Sequence, residues 1–180
     1  MNPETLNLVL SAATLIVVAA AAIAAIVQLR HLRQSNQISA LLEILNQWNQ
    51  PALQQAYAEF SRMPDKLKDP AYVERLNAPG SLDRGNHPEF LVCDFWEQVG
   101  TYAKHGLLDE RILLDIVSAQ VANAWKLAAP MLAISRARHG LSVFENFEYL
   151  AVHAEQWSRR YPDGTYPAGL PRMTDYIAND

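Results

Sequence analysis

The sequence predicts an all-α protein: one N-terminal transmembrane helix continuing into a cytosolic helical bundle of about five further helices. Three observations predict it. Residues Thr5 to Leu29 carry no charged side chain. Downstream, apolar residues recur every three or four positions, the spacing of one helix face. No alternating stretch of strand length and no internal repeat interrupts that pattern. The chain divides into an anchor (1–29), a cytosolic helical domain (30–161) and an extended tail (162–180).

The first element is the anchor. Its 25 uncharged positions hold twelve Leu, Ile or Val and eight Ala. As a helix they span roughly 37 Å, more than the roughly 30 Å of a hydrocarbon core. A chain of 180 residues has too little other core to cover such a helix on all sides. A cleaved export signal opens on basic residues, whereas this chain opens on MNPETLN. The expectation is therefore a retained span with the bilayer as partner through residues 5–29. Arg30 and Arg33 follow the span while Glu4 precedes it, so the excess of cations on one flank predicts an external N-terminus and a cytoplasmic domain. A solitary cysteine, Cys93, suits a reducing compartment. The net charge of -4 argues against a nucleic-acid partner.

The helix should run on to Gln50, since Leu29 to Asn49 contain neither Gly nor Pro. Ile38, Leu41, Leu42, Leu45 and Trp48 mark its apolar face, and burial against the protein's own helices explains them better than a coiled coil of so few heptads. Pro51 then opens a short helix with Leu53, Ala56, Tyr57 and Phe60 inward, ending before Pro64. Asp69 and Pro70 signal another start, with Ala71 to Leu76 helical. The segment NAPGSLDRGNHPE, from Asn77 to Glu89, is the least regular internal stretch.

From Pro88 to Gly106 a strongly apolar helix is expected, with Phe90, Leu91, Phe95, Trp96, Val99 and Tyr102 facing the core. Asp109 should cap the next helix, its stripe being Leu113, Ile116, Val117, Val121, Ala124 and Trp125. Pro130 should kink or split that helix near Ala128, and the continuation through Met131, Ile134 and Ala137 should stop at Gly140. For the last helix, Ser142 and Glu145 fit the S-x-x-E capping box. Phe144, Phe147, Leu150, Ala151, Ala154, Trp157 and Tyr161 form its inward stripe. The tail beyond Tyr161 holds three Pro and two Gly and is expected to be extended, packing through Tyr166 or Tyr176.

Three segments together carry a resemblance: QLRHLRQSNQ after the span, the central HPEFLVCDFWEQVGTYAKHGLLDE, and FENFEYLAVHAEQWSRRYPDGTYP. With them the chain resembles the bacterial proteins grouped as domain of unknown function four-seven-six-zero. The resemblance rests on apolar and aromatic spacing. It implies a small membrane-anchored helical protein of the bacterial inner (plasma) membrane and carries over no catalytic residue.

The chemical candidates each have a plainer reading. Asp94 and Glu97 on one helix, with Glu145, Glu148 and His153 on the last, would make a carboxylate-rich metal site of the kind found in bundles. The Glu-x-x-His spacing is absent, so solvated helix faces explain them more simply. Cys93, among Leu91, Val92 and Phe95, reads as a structural thiol. His87 before Pro88 reads as a capping or loop residue, and His31 as a solvated juxtamembrane group. The aromatic set Phe90, Phe95, Trp96, Trp125, Phe144, Phe147 and Trp157 reads as core. No phosphate loop or nucleophile elbow is present. No residue is assigned a catalytic, cofactor-binding or metal role, and no cofactor is called for. The favoured role is a membrane-anchored scaffold or regulatory module meeting a membrane protein or copies of itself. Ala20 with Ala24 and Ala21 with Ala25 would permit close approach of two spans. The alternative is a membrane-tethered enzyme, a metal-dependent hydrolase using carboxylates and His from several helices.

Overall fold

The computed structural model describes residues 2–174, so the expected role of Tyr176 lies outside the described residues. Seven helices and no strand occur among them: α1 (Pro3–Trp48), α2 (Pro51–Phe60), α3 (Met63–Lys66), α4 (Pro70–Asn77), α5 (Phe90–Lys104), α6 (Glu110–His139) and α7 (Glu145–Arg160). The all-α expectation holds. The chain forms two compact units, residues 1–42 and residues 43–180.

The first unit is helix alone. None of its described residues is buried, and Leu15, Ile16, Val17 and Ile23 are all exposed. By length and composition α1 is a helix able to cross a membrane. An N-terminal signal sequence has the same properties. Only the last turns of α1 belong to the second unit. There Ile44 is buried, and Leu45 and Trp48 are half-buried. Ile38 and Leu42, expected to face the bundle, are exposed instead.

In the second unit α7 packs against both α5 and α6, and α2, α3 and α4 cover the remaining faces of α5 and α6. Gly100 makes the α5–α7 approach possible: a Cβ there would lie 2.1 Å from the Asn146 carbonyl oxygen. Aromatic rings fill the layer between. Trp96 stacks on Phe147 and meets Trp48, and Trp125 meets Phe147 edge-on at 5.1 Å. Phe90 stacks on Phe144 at 5.7 Å. Most of the expected core is buried as read. Leu91, Tyr102, Trp125, Trp157 and Tyr161 lie half-buried at its margin, and Ile116 and Ala137 are exposed.

Helix boundaries follow local chemistry at most positions. Asp69 accepts from the Ala71 amide, and Asp109 accepts from Arg111 and Ile112, each satisfying first-turn donors. Gly140 ends α6 at φ 93°, a value that favours residues lacking a Cβ. One expectation fails, and of another, the kink or split at Pro130, the split does not occur. α6 is not split at Pro130, which lies exposed inside one continuous helix. The carbonyl deprived of its partner is that of Lys126, also exposed, so water can serve it. The Ser142–Glu145 capping box does not form either, because α7 begins two residues later than the box requires. An additional one-turn helix, α3, contains Pro64, where the sequence predicts only a helix end.

α6 also passes as a span by length and composition, but a third of its most apolar window is buried inside the unit. The tail begins in turns. Tyr166 donates to the Pro171 carbonyl at 3.0 Å with Arg172 over its ring, and Thr165 bonds to Asp115 of α6.

Candidate functional site

The most concentrated chemistry is a buried polar cluster where α3, α4 and the start of α5 meet. Glu89, just before α5, is almost fully buried, as are His87 and Tyr72. Three groups converge on its carboxylate. The Tyr72 hydroxyl donates to Oε1, His87 Nδ1 lies 3.2 Å from the same atom, and Lys66 Nζ lies 3.5 Å from Oε2. Lys66 also reaches Glu59 at 3.2 Å and thereby carries the network toward solvent. The Tyr72 hydroxyl has two sulfur neighbours, from Met63 and Met131.

Electrostatics favour an ionised Glu89 and a neutral Tyr72. Burial pushes the Glu89 carboxyl upward, but hydrogen bonds from Tyr72, its own backbone and His87, with the charge of Lys66, outweigh it and hold the group below its usual value. Burial, then the hydrogen bond to Glu89 and that residue's charge, push the Tyr72 phenol well above its ordinary range. The cluster is thus an ionised carboxylate held by a neutral phenol, with the His87 ring and the Lys66 side chain beside it. Reactive attack by Glu89 would require access, and the carboxylate is sealed inside the unit. Its chemistry is that of a buried tie between α3, α4 and α5, with each donor satisfied.

The residues that would have formed a metal site are not brought together. Asp94 takes a bidentate contact from Arg84. Glu97 accepts from the Phe147 amide and from the Asn146 side chain, both at 2.7 Å. Glu145 faces Lys104 at 3.7 Å, Glu148 binds Arg136 at 2.6 Å, and His153 pairs with Glu110 of α6. Among the described residues no group of three or more His, Cys, Asp or Glu is placed to hold a metal ion. Cys93 is buried, and burial followed by the charges of Asp94 and Glu89 raises its thiol well above the ordinary value. That disfavours a thiolate. His31 is exposed on α1.

His87 lies in the loop before α5 as expected, but it is buried there, edge-on to both Tyr72 and Phe90. Lys66, Tyr72 and Glu89 were not singled out by the sequence. Their one signal is an acid and a histidine two apart before an apolar helix, and the rest depends on contacts across the fold. Of the aromatic set, Phe95 and Trp96 border a small apolar pocket of about 100 Å³, lined also by Trp48, Ile116 and Val117 among others. Among the described residues, no acceptor faces the buried Trp96 Nε1.

A second arrangement pins the turn between α6 and α7. Arg136 donates to the carbonyls of Val143 and Phe144 as well as to Glu148, and lies over the Trp125 ring. Phe144 adopts the left-handed conformation, φ 56° and ψ 41°, which costs a non-glycine residue roughly 1–2 kcal/mol. Its ring is buried on Phe90, and that burial with the two Arg136 bonds holds the strained turn in place.

Fold and site together define an all-helical domain whose polar groups are used for cohesion, preceded by a long apolar helix. Within that class the chain belongs to the family described as Domain of unknown function (DUF4760), whose model matches residues 15–157. The match starts inside the apolar part of α1 and ends in α7. Comparisons with curated proteins and with solved structures return no match.

Proposed function

We propose that the chain is a single-pass membrane protein: residues 5–29 span the plasma membrane, and the helical domain, on the cytoplasmic side, serves as a scaffold or regulatory interaction module. The observation that carries this reading is the uncovered state of α1, whose most apolar 18-residue window has no buried residue. A helix apolar on every side requires a nonaqueous surrounding. That the family model extends into the apolar stretch supports a retained anchor over a removed signal. The cations Arg30 and Arg33 support the orientation. A non-enzymatic role is supported by the pairing of Asp94, Glu97, Glu148 and His153 with separate partners. A metal-dependent hydrolase built on them has less support.

Fractionation tests the anchor. The full-length chain should remain in the membrane pellet after alkaline carbonate washing. Added trypsin should digest its domain in inverted vesicles and spare it in intact spheroplasts. A soluble chain, or one shortened at its N-terminus by the length of the apolar stretch, would overturn the anchor; digestion in intact spheroplasts would overturn the orientation.

A further inference from the structure

An apolar groove runs along α6 where it meets α7. One half, about 430 Å³, lies between Ala122, Trp125 and Lys126 of α6 and Val152 and Arg159 of α7. The other, about 410 Å³, continues past Trp125 over Ala129, Ala133 and Ala137 to Leu141. Ala122, Lys126, Ala129, Ala133 and Ala137 follow one another at intervals of three or four, so the floor is a single helix face. From Ala122 to Ala137 that face is roughly 22 Å long. Its walls carry exposed apolar groups: Val152 is 50% exposed and Leu141 80%.

The charges are unequal. Arg136 is engaged by Glu148 and two carbonyls, and Arg159 lies 3.3 Å from Glu155. Lys126 is exposed, with no ion pair among the described residues. Glu155, Gln156 and Arg159 line the same end of the groove as Lys126; with Glu155 taken by Arg159, Lys126 is the charge left over there, and the net charge of that end is positive.

We propose that this groove binds an amphipathic helix of a protein partner, apolar on its docking face and acidic where it passes Lys126. The proposal deepens the interaction-module reading and rests on it. An alanine floor lets a second backbone approach closely, and its length accommodates about four turns. A small ligand would need a pocket burying most of its surface, whereas this cleft lies open along its course and matches the helix-in-groove mode. Lys126 supplies the charge that selects an acidic helix over a basic one.

The test uses the full-length chain in nanodiscs and two fluorescein-labelled 18-residue helical probes, with Leu and Ala on one face and either Glu or Lys on the other. Anisotropy should show saturable binding of the Glu probe. Ala133→Trp, an exposed site where bulk closes the groove without touching the core, should weaken it at least tenfold. Lys126→Glu should weaken it severalfold and transfer preference to the Lys probe. Ala129→Leu gives a second, milder obstruction, and far-UV circular dichroism checks folding of each variant. Three results would overturn the proposal: no saturable binding, equal binding in all variants, or displacement of the probe by phosphatidylglycerol vesicles with unchanged dependence on Ala133. Self-association abolished by Ala133→Trp would also overturn it, by making a second copy the occupant. Failure here leaves membrane retention untouched, and loss of retention leaves probe binding measurable, so the two readings fail separately.

Discussion

Residues 3–42 and residues 43–174 are both chiefly helical, yet they are ordered by different means. The first unit has no buried residue among those described, and its leucines, isoleucines and valines point outward all round. The second buries stripes from every helix against one another and encloses Trp96, Phe60, Phe90 and Phe147 almost completely. A helix apolar on one stripe is completed by protein; one apolar on all sides is completed by something else. α6 shows that composition alone does not separate the two cases, since it is apolar enough to span yet contributes Leu113, Val121, Ala128 and Met131 to the core. The partition of each side chain, not the mean hydropathy, distinguishes them.

The largest effect should come from charging the first unit. Each arginine at the centre of a span costs roughly 2.5–3.5 kcal/mol on insertion scales. Val18→Arg with Ala21→Arg should therefore move the chain out of the carbonate-resistant pellet. Thermal unfolding of the second unit, followed by near-ultraviolet circular dichroism, should be unchanged. A fall in its melting temperature would break the comparison, by showing that the core depends on the anchor.

The next largest lies in the buried cluster. Glu89→Ala takes the acceptor from the buried Tyr72 hydroxyl and leaves Lys66 with Glu59 alone, and breaking a buried pair costs roughly 3–5 kcal/mol. The pH dependence sharpens the assignment. The folded Glu89 carboxyl sits below its ordinary value of 4.5. Its contribution is therefore complete above about pH 4.5 and is lost as pH falls through the folded value. The Tyr72 phenol is shifted the other way, so its contribution is complete below its ordinary value of 10.0 and is lost as pH rises beyond it. Urea unfolding across pH should be flatter on the acid side in Glu89→Gln and flatter on the alkaline side in Tyr72→Phe. Unaltered profiles would remove the cluster from the account of stability.

Gly100→Ala probes the packing layer. A methyl group would be driven against the Asn146 backbone, which has no flexible side-chain end to yield. Overpacking of that kind costs about 3 kcal/mol. Denaturant midpoints should fall accordingly, and a variant as stable as the parent would mean that α5 and α7 can separate without loss.

What was legible in the sequence was mainly what is local. Asp69, Asp109 and Gly140 mark helix ends through groups two to four residues away, and the inward stripes of α5 and α7 follow from spacing. What was illegible depends on distant partners. His87 and Glu89 sit in a Gly- and Pro-rich stretch that reads as surface, and only α3 and α4 folding over them makes them core. Ile38 and Leu42 share the periodicity of Leu45 and Trp48, but periodicity cannot say how far along α1 the bundle reaches. Pro130 was expected to kink or split α6 because proline removes one backbone donor and crowds the preceding turn; the helix runs on unsplit, with Pro130 and Lys126 both exposed.

The start of α7 carries this contrast to its smallest measurable case. Locally, Ser142 and Glu145 satisfy the capping-box pattern, but the left-handed Phe144 places the helix start beyond Ser142, and no side chain of the turn caps it. Glu97 of α5, fifty residues earlier, accepts the Phe147 amide instead, and its charge faces the positive end of the helix dipole. Glu97→Gln should therefore cost about 1–2 kcal/mol, because a neutral amide keeps the shape and loses the charge. Ser142→Ala should leave the denaturant midpoint within about 0.5 kcal/mol of the parent, the range of substitutions away from special features. The reverse ranking would restore the local motif as the cap. The expected one assigns the start of α7 to the packing of α5, so that helix begins where the tertiary structure supplies an acceptor.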